Sequence, residues 1–358
     1  MGDRASGGVD VKAIRYALLL WLWSLASPAP AQDGGAEGAA TPLFSSDELL
    51  DIRLEGPLRT IVRQGQRSTE PHPATMHAAG ETLAITLAAR GVSRRMRENC
   101  SFPPLRIALD AKPDSGSLFY RQRRLKLVTH CKATERNRQA LLREYAVYRL
   151  YGLFTRQSLR VRLAQVTYAD TGKAPMTELA FLIEDADDAA RRSGLKEVDS
   201  GTFPSDALEP EAAARYALFQ YMVGNTDFAL TTGPDPEDCC HNSKLFGTSK
   251  HAREALVPVP YDFDNAGLVD APHAFPNAAL PIDSVRTRLY RGLCIHNEEV
   301  TRQLPRFVAR RADVLAELDA IAQLDARSRT AMRSYLEGFF DTAGDPQEVR
   351  RKILSRCR

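Results

Sequence analysis

"RRLKLVTHC", residues 123–131 of the chain, has the alternating pattern of a β-strand. Leu125 and Leu127 share one face of this strand, and Lys126 projects from the other face in mid-strand. A lysine in that position either protects a sheet edge from aggregation or is held there for a ligand. The pattern therefore predicts a strand and makes Lys126 a candidate site residue.

The segments that follow this strand predict a helix and then a hairpin. "NRQALLREYAVYRLYGLF" (residues 137–154) has the 3.6-residue period of a helix, and Glu144 is the acidic member of an apolar row on it. "LRVRLAQVTYA" (159–169) and "TELAFLIED" (177–185) alternate on either side of the turn-forming "DTGKAP". Glu144 either pairs with a neighbouring arginine at the surface or holds a lysine in a functional site.

The two halves of the chain differ in their predicted secondary structure. Before residue 123 the pattern predicts further strands, at "LRTIVRQ" (58–64), "TLAITLAAR" (82–90) and "FPPLRIALD" (102–110). From residue 209 onward it is helical, beginning with "PEAAARYALFQYMVG", which Gly224 would cap at its C-terminal end. We therefore expect an α+β fold, with a sheet and one helix in the first half and mainly helices in the second.

The composition is that of an ordinary globular protein. The chain has 358 residues, of which 44% are hydrophobic and 26% are charged. Its 48 lysines and arginines against 45 acidic residues leave a net charge of +3, without the basic excess that nucleic-acid binding requires. The composition favours a small-molecule partner and predicts no nucleic-acid binding.

The N-terminus has the pattern of an export signal. Lys12 and Arg15 precede the apolar run at residues 17–26, and small residues follow up to Ala31. The run is shorter than the roughly 20 residues that a membrane-spanning helix needs. We expect a signal peptide at residues 1–31, then a flexible leader at residues 32–44, and a periplasmic or secreted protein without a stable membrane anchor. An uncleaved anchor is the alternative.

The cysteines agree with export, because disulfides form in oxidising compartments. We expect Cys100 to pair with Cys131, and one of Cys239 or Cys240 to pair with Cys294. The spacing fits neither a zinc ribbon nor a redox Cys-x-x-Cys motif.

Two carboxylates lie one residue apart in "PVPYDFDNAG", residues 258–267. Asp262 and Asp264 follow a short apolar run and precede Gly267. Alternate carboxylates at a strand end repel each other unless a cation or hydrogen-bond donors compensate them. The stretch therefore predicts a metal site, the other interpretation being a capped turn.

Three further features carry groups suited to the chemistry of phosphates. "RGVSRRMRENC" (90–100) is rich in arginine, Asp227 follows the end of a predicted helix, and Asn242 lies in "HNSKLF". Each has a structural alternative, namely a solvated stripe for the arginines, a turn for the aspartate and a loop hydrogen bond for the asparagine. Phosphoryl transfer needs a lysine, a glutamate that holds it, a base, and metal ligands, and the chain offers these types in order.

The segments "RRLKLV", "LLREY", "VGNTDF", "HNSKLF" and "VPYDFDNAG" together resemble the atypical kinase-like proteins of the spore-coat protein H (CotH) type. The likeness covers residues from about 85 to 293. It implies a two-lobed protein-kinase-like fold, with a mainly β N-lobe at residues 45–184 and a helical C-lobe at residues 185–358. A nucleotide cleft would lie between the lobes.

The resemblance also implies roles for individual residues. Lys126 would contact the phosphates of ATP and Glu144 would pair with it, while Asp227 would be the catalytic base. Glu184 would begin the hinge that contacts the nucleotide. Mg²⁺ or Mn²⁺ would be held by residues that match the metal motif, which are Asn242, Asp262 and Asp264.

The chain departs from the kinase pattern in three respects. Asn242 follows Asp227 by 15 positions instead of about five, so Asn225 is the alternative ligand. No glycine-rich loop covers the phosphates, and charged donors would replace it, namely Arg90, Arg94 and Arg95. Asp264 stands where kinases have a glycine.

These features favour an exported kinase-like phosphotransferase that uses ATP and a divalent metal on a hydroxyl of a protein, peptide or envelope component. A non-catalytic kinase-like binding module is the alternative. A glycoside hydrolase that uses Asp227 with Asp262 or Asp264 is the third interpretation.

Overall fold

The computed structural model describes residues 38–199, 201–231 and 239–358. The predicted signal peptide and the start of the predicted leader lie outside these residues. Residues 42–44 of the leader form a short 3-10 helix, in which Leu43 and Phe44 are buried.

The N-terminal strands form a closed barrel of seven strands, in the order β1-β2-β3-β4-β5-β7-β6. Neighbouring strands are antiparallel except β1 and β6, which pair in parallel with Leu50 opposite Ala164. The strands are β1 (Leu50–Glu55), β2 (His72–Ala78), β3 (Glu81–Ala89), β4 (Leu105–Leu109), β5 (Arg124–Val128), β6 (Val161–Ala169) and β7 (Met176–Ile183).

The barrel shows that the expected two-lobed protein-kinase-like α+β fold is wrong. Strand β1 pairs with β2 on one side and with β6 on the other, so the sheet closes on itself instead of forming an open sheet in a mainly β N-lobe. The alternate residues Leu50, Ile52 and Leu54 of β1 are all buried. Closure of the barrel places this face of the strand in the interior.

Of two local predictions for the first half of the chain, the structure confirms one and corrects the other. The predicted hairpin at residues 159–185 is confirmed, since β6 and β7 pair from Val161 opposite Ile183 to Tyr168 opposite Met176. "LRTIVRQ" is instead helix α1 (Leu58–Gln64). Its two buried residues, Leu58 and Ile61, are three positions apart and therefore lie on one face of a helix.

The remainder of the described chain consists of seven further α-helices and a small three-stranded sheet in the order β10-β9-β8. The sheet strands are β8 (Lys196–Glu197), β9 (Ser243–Gly247) and β10 (Val257–Pro260). The helices are α2 (Glu135–Gly152), α3 (Ala186–Arg192), α4 (Pro210–Val223), α5 (Asn297–Ala309), α6 (Arg311–Ala320), α7 (Ala326–Gly344) and α8 (Pro346–Lys352). Across the described ranges, no helix combines the length and the apolar character that a membrane crossing requires.

Gly224 ends α4 in the left-handed conformation, with φ of 67°, which confirms the predicted cap. A Cβ atom at this position would lie 1.9 Å from the Tyr335 hydroxyl oxygen. Glycine is therefore required both for the backbone conformation and for the close approach of α7.

Helix α2 connects the barrel to the loop that follows β10. The Tyr148 ring contacts Phe181 of β7 and Phe263 of the loop, with centroids 5.8 and 4.8 Å away. All three side chains are buried, and buried aromatic pairs of this kind contribute about 0.5–1.5 kcal/mol each beyond their area. This packing fixes the loop after β10, which carries Asp262 and Asp264, relative to strand β5.

All six cysteines form disulfides. The expected Cys100–Cys131 pair is confirmed. The second expectation is wrong, because Cys294 pairs with Cys357 and the adjacent Cys239 and Cys240 pair with each other. The position of Cys357 is set by α7 and α8, which carry the C-terminus back to residue 294, where Cys294 N donates to Arg358 O at 3.1 Å.

We expect the removal of the Cys294–Cys357 disulfide to reduce the free energy of unfolding by about 4 kcal/mol, because the bond closes a loop with a sequence separation of 63. The measurement is urea denaturation of the Cys294→Ser, Cys357→Ser double variant. The matched control is Cys239→Ser, Cys240→Ser, whose bond links adjacent residues and constrains the unfolded chain little. Equal losses in the two variants would contradict the loop-closure explanation.

Candidate functional site

A small cleft lies where strand β5, helix α2 and the loop after β10 meet. Its volume is about 50 Å³. The charged or aromatic side chains that line it include Arg90, Arg94, Lys126, Glu144, Tyr261, Asp262 and Asp264. The structure thus brings together six of the residues singled out from the sequence, in a space the size of an ion and a few waters.

Lys126 comes from the middle of β5, where it pairs with Arg106 of β4 and Ile183 of β7. Lys126 therefore lies on a strand that has a neighbouring strand on each side, and not at a sheet edge. Its ammonium nitrogen is 5.7 Å from the centroid of the Tyr261 ring, and within the described ranges no carboxylate pairs with it. Burial lowers the pKa of Lys126, and the positive charge of Arg90 lowers it further.

Glu144 of α2 pairs with Arg94 and not with Lys126. The Arg94 Nη1 atom lies 3.3 Å from Glu144 Oε2, and Arg94 Nη2 donates to Thr129 O at 2.8 Å. Both residues are buried, with 7% and 3% of their surfaces exposed. Burial raises the pKa of Glu144, and Arg94 opposes this shift. The arginine therefore has the place that the resemblance assigns to the lysine.

We expect Arg94→Met to reduce the free energy of unfolding by about 3–5 kcal/mol, because it leaves the Glu144 carboxyl buried without a partner. The additional change Glu144→Met should recover most of this loss, since two apolar side chains of similar volume can replace a buried ion pair. Urea denaturation of both single variants and the double variant measures the coupling. Additive losses in the double variant would show that the pair contributes no coupling.

The two acids after β10 differ in their surroundings. Asp264 is 6% exposed, and His273 Nε2 lies 3.2 Å from its Oδ2 atom. Burial alone would raise the pKa of Asp264, but the His273 hydrogen bond and the charge of Arg94 hold it below its ordinary value. Asp264 is therefore a carboxylate at neutral pH.

Asp262 lacks such a partner. Its backbone is in the left-handed region with φ of 61°, and its amide donates to the Tyr148 hydroxyl at 2.8 Å. Burial and the neighbouring charge of Asp264 raise the pKa of Asp262 to about 6, against the opposing charges of Arg90 and Arg94. A backbone held in a rarely populated conformation, at an acid whose pKa is raised, is typical of functional sites.

Asp227 lies in a separate hydrogen-bond network. Its Oδ1 atom is 2.9 Å from His241 Nε2, and its Oδ2 atom accepts from Asn265 Nδ2 at 2.9 Å. The Asn242 amide donates to Asp227 O at 2.8 Å. Burial would raise the pKa of Asp227, but the hydrogen bonds from His241 and Asn265 outweigh it and lower the pKa. Asp227 is thus an oriented carboxylate.

Asn242 belongs to this network and does not line the cleft. Its Nδ2 atom also lies 3.2 Å from Asp227 Oδ2, so its amide orients the aspartate. Asn242 precedes β9 and Asp262 follows β10, at the same end of the antiparallel pair. The backbone therefore brings the network and the cleft close together, and Asn265 connects them.

Two other residues predicted for the site, Arg95 and Glu184, form hydrogen bonds outside the cleft. Arg95 donates through Nη1 to Gly65 O at 3.0 Å and points away from the cleft lining. Glu184 accepts from Arg192 Nη2 at 2.8 Å and from the Arg160 amide at 3.0 Å. Both of these bonds reach Oε2, and Oε1 accepts from Arg192 Nε at 3.2 Å. Glu184 is 1% exposed, so both carboxylate oxygens are already used within the protein.

Asn265, His273 and Tyr148 contact the candidate residues but were missed by sequence reasoning. Asn265 directly follows Asp264 and a search of the motif's neighbours would find it. Tyr148 lies on the same face of α2 as Glu144, and the sequence pattern predicts only a core residue there. His273 lies in a loop without a periodic pattern, and only the fold places it beside Asp264.

Two clusters in the described residues have ligand atoms close enough for a metal ion. The first joins His273 to Cys100 and Cys131, but these cysteines form a disulfide and offer no thiolate. The second consists of Asp185, Asp187 and Glu197, where Lys244 already pairs with Glu197 at 2.6 Å. Asp262 and Asp264 belong to neither cluster, so a cation there would need further ligands from water or substrate.

No family model matches the sequence, and none of the curated proteins matches it.

Proposed function

We propose that the cleft binds the phosphates of a nucleotide together with a divalent cation, and that the protein is an exported phosphotransferase. The nucleotide would be ATP, with Mg²⁺ or Mn²⁺, and the acceptor a hydroxyl of a protein, peptide or envelope component. The likeness to CotH-type kinase-like proteins stays a prediction.

One observation carries this proposal: the cleft contains charged groups of both signs that form no direct ion pair, although the charges of Arg90 and Arg94 partly offset that of Asp262. In the described part of the chain no ion pair or hydrogen bond involves the side chains of Lys126 or Arg90, and no cation pairs with the Asp262 carboxylate. These three residues are half-buried, and a charge that is partly removed from water without a direct partner is unfavourable. A ligand that combines a cation with phosphate oxygens compensates both sets at once, which a purely anionic or purely cationic ligand does not.

The acids in the cleft fit a hard divalent cation. Carboxylate oxygens are its preferred ligands, and Mg²⁺ in particular is held by one or two carboxylates plus water and substrate phosphates. Asp262 and Asp264 supply two carboxylates, and the raised pKa of Asp262 means that a cation would displace a proton there. When bound, the metal would neutralise the charge that develops on the transferred phosphoryl group.

The remaining residues have separate tasks in the proposed reaction. The Lys126 ammonium and the Arg90 guanidinium would orient phosphate oxygens through charge-assisted hydrogen bonds. Asp227, kept ionised by His241 and Asn265, would accept the proton of the acceptor hydroxyl. His241 and Asn265 position this carboxylate.

The second candidate is a non-catalytic module that binds the cation alone. The small cleft favours it, because about 50 Å³ lies far below the roughly 300–1,000 Å³ of small-molecule sites. Nucleotide binding therefore requires residues 90–92 to move outward, while Arg94 stays paired with Glu144. Val92 in this segment is 74% exposed, so little apolar burial holds that part of it in place.

Export is supported by the three disulfides, since such bonds persist in oxidising compartments. The signal pattern at residues 1–31 points the same way. Periplasmic or secreted location is therefore part of the proposal.

The mature chain, residues 32–358, should be stabilised more by ATP and Mn²⁺ together than by the sum of the two alone. A ligand present at 100 times its dissociation constant adds about 2.7 kcal/mol to the free energy of unfolding. Thermal unfolding with ATP, Mn²⁺, both, or neither measures this. Stabilisation by Mn²⁺ alone, unchanged by ATP, would favour the cation-binding module, and no shift under any condition would contradict both functions.

A further inference from the structure

A second cavity, of about 900 Å³, lies where helix α1 meets the turn between β6 and β7. It shares no lining residue with the cleft. Its volume falls within the range of small-molecule sites. The cavity is therefore large enough for a ligand of its own, and the proposed phosphotransfer does not use it.

The rim of this cavity is positively charged. Arg59, Arg63, Arg97 and Lys173 line it, against the single acid Asp170. The Asp170 carboxylate accepts from the Arg59 amide at 2.8 Å, so it caps the backbone there. Among the described residues no acceptor pairs with the side chains of Arg59, Arg63 or Lys173. These unpaired cations make the rim attractive to an anion.

The inner wall of the cavity is apolar and aromatic. It includes Leu58, Phe102 and Tyr168, whose exposed fractions are 4%, 8% and 4%. The Phe102 and Tyr168 rings pack with their centroids 4.7 Å apart. The half-buried Val62 and Met176 add accessible apolar surface to this wall, against which an acyl chain or an aromatic body can be buried.

The Tyr168 hydroxyl is a buried polar group without a hydrogen-bond partner in the described part of the protein. Leaving such a group unsatisfied costs about 1–3 kcal/mol. Met176 lies opposite Tyr168 in the hairpin and also lines the cavity. The hydroxyl itself is covered, so a ligand in the cavity reaches it only by displacing part of this wall.

We propose that this cavity binds an anionic amphiphile, a molecule with one anionic group on an acyl chain or aromatic body. The apolar part packs against Val62 and Met176, above the buried Leu58 and Phe102. The anionic group lies at the rim beside Arg59 and Arg63, and the Tyr168 hydroxyl donates to a polar atom of the bound molecule. The combination of an apolar wall, unpaired cations and an unsatisfied hydroxyl selects this class over neutral lipids and over small inorganic anions.

Calorimetric titration of the mature chain with dodecanoate, below its micelle concentration, tests the proposal. We expect saturable binding of one molecule, and at least about tenfold weaker binding by the Arg59→Glu, Arg63→Glu double variant. The matched control is Arg123→Glu, Arg124→Glu, which makes the same change in charge at exposed positions outside the cavity lining. Its affinity should stay within about twofold of the unchanged protein.

Tyr168→Phe separates ligand binding from folding. It removes the unsatisfied hydroxyl, so the free energy of unfolding should stay the same or rise, while the affinity for dodecanoate falls a few-fold. The proposal is overturned if the unchanged protein shows no saturable binding, if both double variants lose affinity equally, or if uncharged dodecanol binds as tightly as dodecanoate. None of these outcomes bears on nucleotide binding in the cleft.

Discussion

Asp262→Asn should abolish cation-dependent nucleotide binding and leave the fold at least as stable as before. The substitution removes one of two carboxylates in the cleft, and we expect the affinity for ATP with Mn²⁺ to fall by at least about 100-fold. Asparagine adopts the left-handed backbone that Asp262 has, with φ of 61°, so the loop conformation is kept. Calorimetry with ATP at fixed Mn²⁺ measures the affinity.

The stability of this variant follows from the sign of the pKa shift. Burial and Asp264 raise the pKa of Asp262 to about 6, so the folded protein binds this proton more tightly than the unfolded chain. The carboxyl group therefore costs stability as the pH rises from about 4 to 6, and the full cost is present at pH 7.5. Neutralising it should add about 3 kcal/mol to the free energy of unfolding at that pH, since the pKa rises by about two units from 3.8.

The same titration predicts how metal affinity depends on pH in the unchanged protein. A cation competes with the proton on Asp262, so Mn²⁺ affinity should rise as the pH increases through about 6 and level off above it. The matched control is Asp187→Asn, an exposed acid of the other carboxylate cluster. If Asp187→Asn removes the binding and Asp262→Asn does not, the cation lies at the cluster of Asp185, Asp187 and Glu197.

The fold illustrates which structural features are encoded locally. The hairpin of β6 and β7 was predicted because its strands and turn are contiguous in sequence. The barrel was not, because its closure depends on β1 pairing in parallel with β6, more than 100 residues later, and such a pairing has no turn to mark it. Helix α1 was mistaken for a strand because seven residues are too few to separate the two periods.

The candidate site shows the same difference between features that are encoded locally and features that depend on distant parts of the chain. Asp262, Asp264 and Lys126 were singled out from the sequence, since a charge within an apolar run is visible locally, and the structure places all three in the cleft lining. The Arg94–Glu144 pair was not, because it depends on the path of the segment between β3 and β4. Sequence order suggested that Lys126 would pair with Glu144, but a buried arginine lies closer and offers more donors in a fixed geometry.

Asp227→Asn should abolish phosphoryl transfer while nucleotide binding persists. The amide side chain keeps the shape of the carboxylate and can still accept from Asn265, but it cannot take a proton from an acceptor hydroxyl. Loss of a general base lowers rates by about 10²–10⁴-fold. Incubation with γ-labelled ATP and Mn²⁺ measures self-labelling, and calorimetry should show an ATP affinity within about threefold of the unchanged protein, because Asp227 does not line the cleft.

The matched control for this variant is Asp199→Asn, which alters a second aspartate–histidine pair. Asp199 Oδ2 lies 3.1 Å from His251 Nδ1, and both side chains are exposed, so self-labelling should be unchanged there. His241→Leu, which has no hydrogen-bond donor, tests the positioning of Asp227. The hydrogen bond from His241 is the largest cause that lowers the pKa of Asp227, so removing it should shift the acidic limb of the rate profile to higher pH. Self-labelling that persists in Asp227→Asn would exclude this carboxylate as the base. If even the unchanged protein binds ATP without labelling itself, and the variant binds ATP with the same affinity, the protein is a binding module.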